Sequence, residues 1–447
     1  MKRSLIIHLR DVVSYIGELI TPIIRIATSK EKRKEHLQTS LYANAYYLIV
    51  SSVGAAFLGF IFWVVVARNF SPSDVGIASA LISVISMLTS FSSLGLHIGV
   101  IRFLSEERDK QGMINSCFTL PGIFAVVLAF FFIFGVAFWT PNLVFLRENL
   151  NYLSLFIIFT VASSIFLVQK SVFVALRTAK FFFVLRIAWN GLKIVFPIVL
   201  VSFGVFGIFL SWGMTLCIVV IIGLLLIRKI QPQYYPLPQI KKHIINDMLH
   251  FSFGNYVADF LNYVPHYILP LIVLGISGAE ANAYFYIAFS MSMLVSSIPL
   301  SVAISLFAEG SNEPGKLRVN ISKSIKFTFI LLLPLLAVIL LLGDKILLLF
   351  GKAYSENAFT LLSILILSSI PLTITETYIS IKRVQKEVKP LLYLFTFTAI
   401  FIILCSYLLT LRIGLIGAGV GWLLGWTIAA VLIAITLVKQ FRNRKRS

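Results

Sequence analysis

Residues 205–227 read VFGIFLSWGMTLCIVVIIGLLLI, with no charged side chain in the run. A hydrocarbon core about 30 Å thick needs roughly 20 apolar residues of helix, and this run reaches about 35 Å at about 1.5 Å per residue. In lipid every backbone polar group must be satisfied within the segment or in a closed barrel, so the run is helix. Read outward from it, the sequence predicts eleven more such spans, near 42–67, 74–101, 114–138, 151–176, 180–203, 249–275, 282–308, 323–343, 357–381, 391–411 and 415–438. The fold class expected is an all-α membrane protein of about twelve transmembrane helices.

Composition agrees with that reading. The chain of 447 residues is 59% hydrophobic, with a mean hydropathy of +0.95, outside the range of soluble domains. Its net charge of +20 could suit nucleic acid, but the basic residues sit at helix ends and in short loops, so no nucleic-acid partner is expected. If the N-terminus is inside, the inner segments 1–40, 102–113, 170–180, 228–247, 309–326, 381–389 and 439–447 carry 8, 3, 3, 4, 4, 4 and 5 Lys or Arg. The outer connections hold only Arg68, Arg147, Lys345, Lys352 and Arg412. That bias predicts cytoplasmic N- and C-termini. Cys117, Cys217 and Cys405 lie far apart in apolar stretches, and read as small buried hydrophobes.

The stretch Leu5–Ile26 is broken by Arg10, Asp11, Glu18 and Arg25, which excludes a clean signal sequence and a spanning helix. Leu5, Leu9, Val12, Ile16, Leu19 and Ile23 share one helical face, with the run Lys30-Glu31-Lys32-Arg33-Lys34 behind it. This predicts an interfacial helix on a bilayer with an anionic inner leaflet, or a mobile amphipathic tail. The longest inner linker follows the sixth span and holds Pro232, Pro236 and Pro238. The expected organisation is a basic amphipathic segment (1–40), a six-helix bundle (41–228), a cytoplasmic linker (229–248), a second six-helix bundle (249–438) and a basic tail (439–447).

The two halves repeat. Ser71-Pro72-Ser73-Asp74-Val75-Gly76-Ile77 aligns with Ser277-Gly278-Ala279-Glu280-Ala281-Asn282-Ala283, each with an acid at a helix start where the dipole favours it. Gly204-Val205-Phe206-Gly207 followed by Trp212 aligns with Gly414-Leu415-Ile416-Gly417 followed by Trp422. The offsets are 206 and 210 residues. Six spans per half give both halves one orientation, so the repeat is parallel, and its axis lies along the membrane normal with a site between the bundles.

Four spans carry polar residues at helical spacing: Asn255, Asp259, Asn262 and His266; Arg186, Asn190 and Lys193; Ser369, Thr373, Glu376 and Ser380; and Ser163, Lys170 and Arg177. A charge at the bilayer centre costs about 3 kcal/mol or more, so such groups face a watery cavity or a partner. Lys170, Arg177 and Arg186 lie near inner ends and either snorkel or line the cavity; Lys193 is deeper and points to the cavity. Asp259 is a cavity group or a structural acceptor. Glu376 either pairs with Lys382 or Arg383 or serves the cavity. His266 is a packed histidine or a proton relay. Pro265 and Pro270 are expected to kink the seventh span. Cations in the first bundle (Lys170, Arg177, Arg186, Lys193, with Asn190 beside them) suit a phosphate or other anion. Acids in the second suit a proton or sodium ion, or a lock between the lobes, which assigns Asp259, Asn255, Asn262, His266 and Glu376 to coupling or gating.

The segment Ala67-Arg68-Asn69-Phe70-Ser71-Pro72-Ser73-Asp74-Val75-Gly76, with two six-span lobes, resembles the polysaccharide transporter family. This is the branch of the multidrug/oligosaccharidyl-lipid/polysaccharide exporter superfamily that includes the Wzx-type O-antigen flippases. Phe350-Gly351-Lys352-Ala353-Tyr354-Ser355-Glu356-Asn357-Ala358 also resembles a segment of that family. The likeness runs over nearly the whole chain from Tyr42, apart from the basic extension 1–40. It implies a multi-pass plasma-membrane flippase that moves a polyisoprenyl-phosphate-linked saccharide from the inner to the outer leaflet, without a cofactor. A cation-coupled drug exporter of the same superfamily would give Asp259 and Glu376 the substrate role, but the intramembrane Lys and Arg would repel cationic cargo. A membrane glycan polymerase or ligase would need a large outer loop with paired catalytic groups. The outer acids Asp74, Glu148, Glu280, Asp344 and Glu356 are dispersed, and no nucleophile elbow, phosphate loop or metal-ligand spacing occurs. No enzyme activity is expected.

Overall fold

The structure, a computed structural model, describes residues 40–444; the amphipathic segment expected before Ser40 lies outside the described residues. All regular structure among those residues is helical. The helices are α1 (Ser40–Asn69), α2 (Pro72–Ser92), α3 (Leu96–Phe103), α4 (Lys110–Trp139), α5 (Phe145–Glu148), α6 (Leu150–Ala175), α7 (Ala179–Val199) and α8 (Val205–Ile230) in the first half. The second half has α9 (Lys242–Ser277), α10 (Ala279–Asn312), α11 (Leu317–Leu347), α12 (Lys352–Leu367), α13 (Ser369–Val384), α14 (Lys389–Ile413) and α15 (Leu415–Arg444). Eleven described helical stretches are long and apolar enough to cross a membrane, and the described apolar part of α1, Gly54–Asn69, is shorter.

Two expected spans are not single helices. The stretch 74–101 breaks into α2 and α3, because Leu94 (φ 49°) and Gly95 (φ 77°) both take left-handed backbone, which cannot propagate a right-handed helix. A Cβ on Gly95 would stand 2.8 Å from the Tyr256 Cβ, so α9 presses close at the break. The stretch 357–381 breaks between α12 and α13 at Ser368. Pro371 has no N–H, which leaves the Leu367 carbonyl without its helical donor. By contrast, α9 runs unbroken through Pro265 and Pro270. The linker is also shorter than expected, because α9 begins at Lys242 and leaves Gln231–Lys241 as the extended stretch.

The repeat seen in sequence holds in the backbone. Gly204 (φ 52°, ψ −132°) and Gly414 (φ 62°, ψ −145°) share a conformation that favours glycine, and Gly207 and Gly417 each donate back to the first glycine's carbonyl, at 3.0 and 2.9 Å. A third equivalence has no sequence signature. Arg177 (φ 56°) and Lys386 (φ 59°) end α6 and α13, and the next residue's N–H reaches five residues back, Thr178 to Phe173 and Glu387 to Lys382, at 2.8 and 2.9 Å. This is the Schellman way of closing a helix.

Without water to drive burial, membrane helices associate through close packing of small residues. Gly417, Gly421 and Gly425 form such a ridge on α15, where any Cβ would collide with Leu409, Ser406 and Ile402 of α14. One core joins α2–α8 with Tyr234 of the linker and Ile244, Ile245 and Met248 of α9. The other joins the second-half helices with Phe62, Val66 and Ala67 of α1, Phe70 just beyond it, Val75 and Ala78 of α2 and Ile208 of α8.

The lobes close on each other at the face opposite the Lys/Arg-rich loops. Ser71 caps α2, its hydroxyl accepting from Asp74 N–H at 3.1 Å and donating to the Asp74 carboxylate at 2.6 Å, with Pro72 in the first turn. The cap places Gly76 against Ala279, whose carbonyl leaves no room for a Cβ. The Asn282 amide donates to Gly76 O at 2.7 Å. Arg68 donates to the carbonyls of Leu349 (2.8 Å) and Leu348 (2.5 Å), and Asn142 donates to Leu274 O at 2.6 Å. Phe60–Phe350 and Trp63–Tyr286 ring pairs, 5.2 and 4.7 Å apart, lie beneath. The two segments that resemble the polysaccharide transporter family thus abut across this seal.

Candidate functional site

Toward the basic face the lobes part around α9, which has a cavity on either side. The first, of about 380 Å³, is walled by α2, α3, α6, α7 and α9. Lys170 and Arg186 supply its cations, Ser86, Ser90 and Ser163 its hydroxyls, and Trp189, Tyr256, Tyr263 and Tyr267 flat aromatic walls. Arg186 donates to Ser52 at 3.2 Å, and neither Lys170 nor Arg186 makes an ion pair among the described residues. Two cations outside any ion pair, with hydroxyls and the Asp259 carboxylate on the same cavity, can bind an anion's oxygens. The helical spacing accounts for this placement: Ser163 and Lys170 are two turns apart on one face of α6, and Arg186 lies two turns into α7.

The second cavity, of about 420 Å³, lies between α9 and the second lobe, and Lys382, Arg383 and Lys386 line it with Asn255, Asp259 and Glu387. Asp259 lines both cavities, and its carboxylate is 3.7 Å from the Arg383 guanidinium. Sequence reading used Lys382, Arg383 and Lys386 as orientation markers, and Lys382 and Arg383 also as possible partners of Glu376, so their place on a cavity wall was missed. His97 was missed as well, because a single histidine in an apolar run has no spacing to read.

The other expected site residues are placed differently. Lys193 is 7% exposed and lines neither cavity; its ammonium sits over the rings of Phe62 and Trp189, 4.9 and 5.0 Å from their centroids. Cation–π contact replaces part of the lost hydration there. Asn190 is buried and donates to Arg186 O at 2.8 Å, within its own helix. Arg177 lies exposed in the turn after α6, beyond the cavity wall. His266 packs edge-on against Trp422 at 4.8 Å and near Phe289 and Tyr263. Asn262 is half-buried and lines neither cavity. Glu376 is buried on α13, and Lys382, one of its two expected partners, instead reaches Glu387 at 2.7 Å.

On the basic face the linker is fastened to the first lobe. Asn115 donates to Tyr235 O at 2.9 Å, Lys241 N–H donates to Ser116 at 2.8 Å, and Gln239 N–H to Thr119 at 3.2 Å. Burial of Tyr234 in this stretch pushes its phenol pKa up.

Among solved structures, one titled as the lipid II flippase MurJ in an inward closed conformation superposes with a TM-score of 0.69 at 14% identity, covering 87% of each chain. An inward-facing multidrug resistance MATE family transporter of the MOP superfamily gives 0.67 at 15% identity, covering 90% of this chain and 99% of its own. An outward-facing MATE transporter gives 0.56 at 15%, over 91% and 96%. At these identities the likeness establishes the fold. A search of curated protein sequences gives no significant match. Residues 65–359 match the family described as "Polysaccharide biosynthesis protein". A multi-pass helical bundle with this architecture and this sequence match makes the chain a member of that polysaccharide biosynthesis family.

Proposed function

We propose that the protein is a plasma-membrane flippase that carries a polyisoprenyl-phosphate-linked oligosaccharide from the cytoplasmic to the outer leaflet by alternating access. The observation that carries this reading is the pair Lys170 and Arg186, unpaired by acids, in a cavity between lobes that are closed at the opposite face. The phosphate binds the two cations, and the sugar lies along the serines and the tyrosine and tryptophan rings. The basic face is cytoplasmic, so the cavity is the substrate-loading side. Residues 41–228 and 249–438 rock as two lobes, and Asp259, released from Arg383, takes up a proton or sodium ion during the cycle.

The test is flipping of a lipid-linked saccharide in proteoliposomes. Losing a charge-assisted hydrogen bond costs about 1.5–3 kcal/mol, so Lys170→Ala with Arg186→Ala should slow flipping about tenfold or more. Unchanged flipping in that double variant would remove both residues from the mechanism. The position of Asp259 on both cavities favours a second reading, cation-coupled export of cationic drugs. Drug sensitivity of a deletion strain with normal surface glycan would support it over the first.

A further inference from the structure

The first cavity has one wall residue to which the proposed transport gives no role. His97, on α3, lines it together with Lys170 and Arg186. We infer that, given a phosphate in this cavity as proposed above, the His97 imidazole is the third donor of the anion site, its Nε2–H bonding a phosphate oxygen beside the two cations.

The break in the second span sets the position of this residue. Leu94 and Gly95 end the path of α2 with left-handed backbone, and the eight residues of α3 pack against α6 and α9. Leu96, Gly99 and Val100 are the buried residues of α3. Gly99 is pressed on α9, where a Cβ would stand 2.8 Å from the Met248 side chain and 3.1 Å from that of Ser252. His97 is half-buried, between that packed face and the cavity. It belongs electrostatically with the cations: the charge that acts on His97 is that of Lys170, and the charge that acts on Lys170 is that of Arg186. Asp259, the one carboxylate lining this cavity, is instead 3.7 Å from Arg383.

The two ring nitrogens differ. Nδ1 is sealed from solvent and makes no hydrogen bond among the described residues. Nε2 has no partner there either but is not sealed, and the opening beside it is the cavity. A histidine is committed to one tautomer by the bond its other nitrogen makes, and His97 carries no such commitment. Phosphate oxygens only accept, so a bound phosphate draws the proton to Nε2, and nothing at Nδ1 opposes that. Other polar groups on the wall have already given their protons: Ser86 donates to Ile82 O at 2.8 Å and Tyr256 to Phe91 O at 3.0 Å. A sealed Nδ1 is not by itself a site. His266 has one too, but it packs edge-on against Trp422 and lines neither cavity. What sets His97 apart is an open Nε2 on a cavity wall that also carries two cations.

The test titrates the full chain in nanodiscs with geranyl phosphate and with geraniol, so that the ratio of the two dissociation constants isolates what the phosphate contributes. His97→Leu should shrink that ratio about tenfold, the loss of one charge-assisted hydrogen bond, and leave geraniol binding unchanged. His97→Gln, whose amide can donate, should recover most of the ratio. In protein carrying 15N-labelled histidine, the Nε2 signal that disappears in His97→Gln should move on addition of geranyl phosphate and stay in place with geraniol. Equal weakening of both probes by His97→Leu, or an Nε2 signal that geranyl phosphate does not move, would overturn the assignment. A ratio that survives His97→Leu but shrinks in Lys170→Ala would overturn His97 alone and leave the cavity as the phosphate site. No phosphate preference in the wild type would overturn both readings together.

Discussion

The Asn282 side-chain amide donates to the Gly76 carbonyl at 2.7 Å, and these two residues occupy the same position in the two halves of the repeat. Equivalent residues of a parallel repeat can touch only on the axis that relates the halves, so this hydrogen bond marks the axis at the closed face. The two positions have diverged in a complementary way. Gly76 has no room for a Cβ beside the Ala279 carbonyl, while Asn282 bridges to both Gly76 and Ser79, the latter at 3.3 Å.

Gly76→Val should therefore force the lobes apart at this face. Overpacking a tight contact costs about 1–3 kcal/mol, and the expected result is a lower unfolding midpoint in detergent. Asn282→Ala, which removes a buried partner at a cost of about 1–3 kcal/mol, should lower it as well. Thermal unfolding of the two single variants and the double variant checks both, and their effects should be less than additive because they share one contact.

Arg68 closes the same face from α1, with two bonds onto the Leu348 and Leu349 carbonyls. Arg68→Gln should weaken closure without unfolding the bundle. A single cysteine introduced at Phe60, behind the seal, should label faster with an impermeant thiol reagent in the Arg68→Gln background than in the parent.

Lys193 was expected to bind substrate and instead lies between two aromatic rings. Lys193→Met keeps the length and apolar stem of the side chain, and flipping should stay within about twofold of wild type, since the ring contacts are worth about 0.5–2 kcal/mol of stability rather than transport. A loss as large as that in the Lys170 and Arg186 double variant would contradict this placement.

Arg177 sits at φ 56°, a conformation that costs a non-glycine residue about 1 kcal/mol. Arg177→Gly should raise the unfolding midpoint by a few degrees and leave flipping unchanged.

The Asp259–Arg383 contact at 3.7 Å joins two half-exposed side chains, and such a pair adds at most about 1 kcal/mol. Asp259→Asn should barely move the unfolding midpoint but should change flipping, because Asp259 borders both cavities. Exchange of the charges, Asp259→Arg with Arg383→Asp, should recover part of the lost rate if the contact itself is cycled.

Much of the fold was legible because lipid imposes one rule on every span, and because the Gly-x-x-Gly turns at Gly204 and Gly414 need glycine's backbone. The Leu94–Gly95 break was hidden, since Tyr256, which presses on Gly95, lies on a helix more than 150 residues away. The cations of the first cavity were legible where charge interrupts an apolar run near a helix end, as at Lys170 and Arg186. At Lys193 depth pointed to the cavity, whereas its ammonium lies over Trp189, one turn back on α7, and over Phe62, which comes from α1 and has no signal within α7. In the second lobe Lys382, Arg383 and Lys386 resemble any basic loop in sequence. Only the packing of α13 against α10, with α14 against α9, brings them toward Asp259.

The bonds from Asn115, Ser116 and Thr119 to the crossing strand between the halves make it a tether knotted at one end. Ile244, Ile245 and Met248 carry that attachment into α9 itself. Under the proposed rocking of the two halves, the rotation would be absorbed farther along, where Pro265 and Pro270 remove two rungs of the helical ladder. In that scheme the pivot would lie not in the connecting loop but within the bilayer.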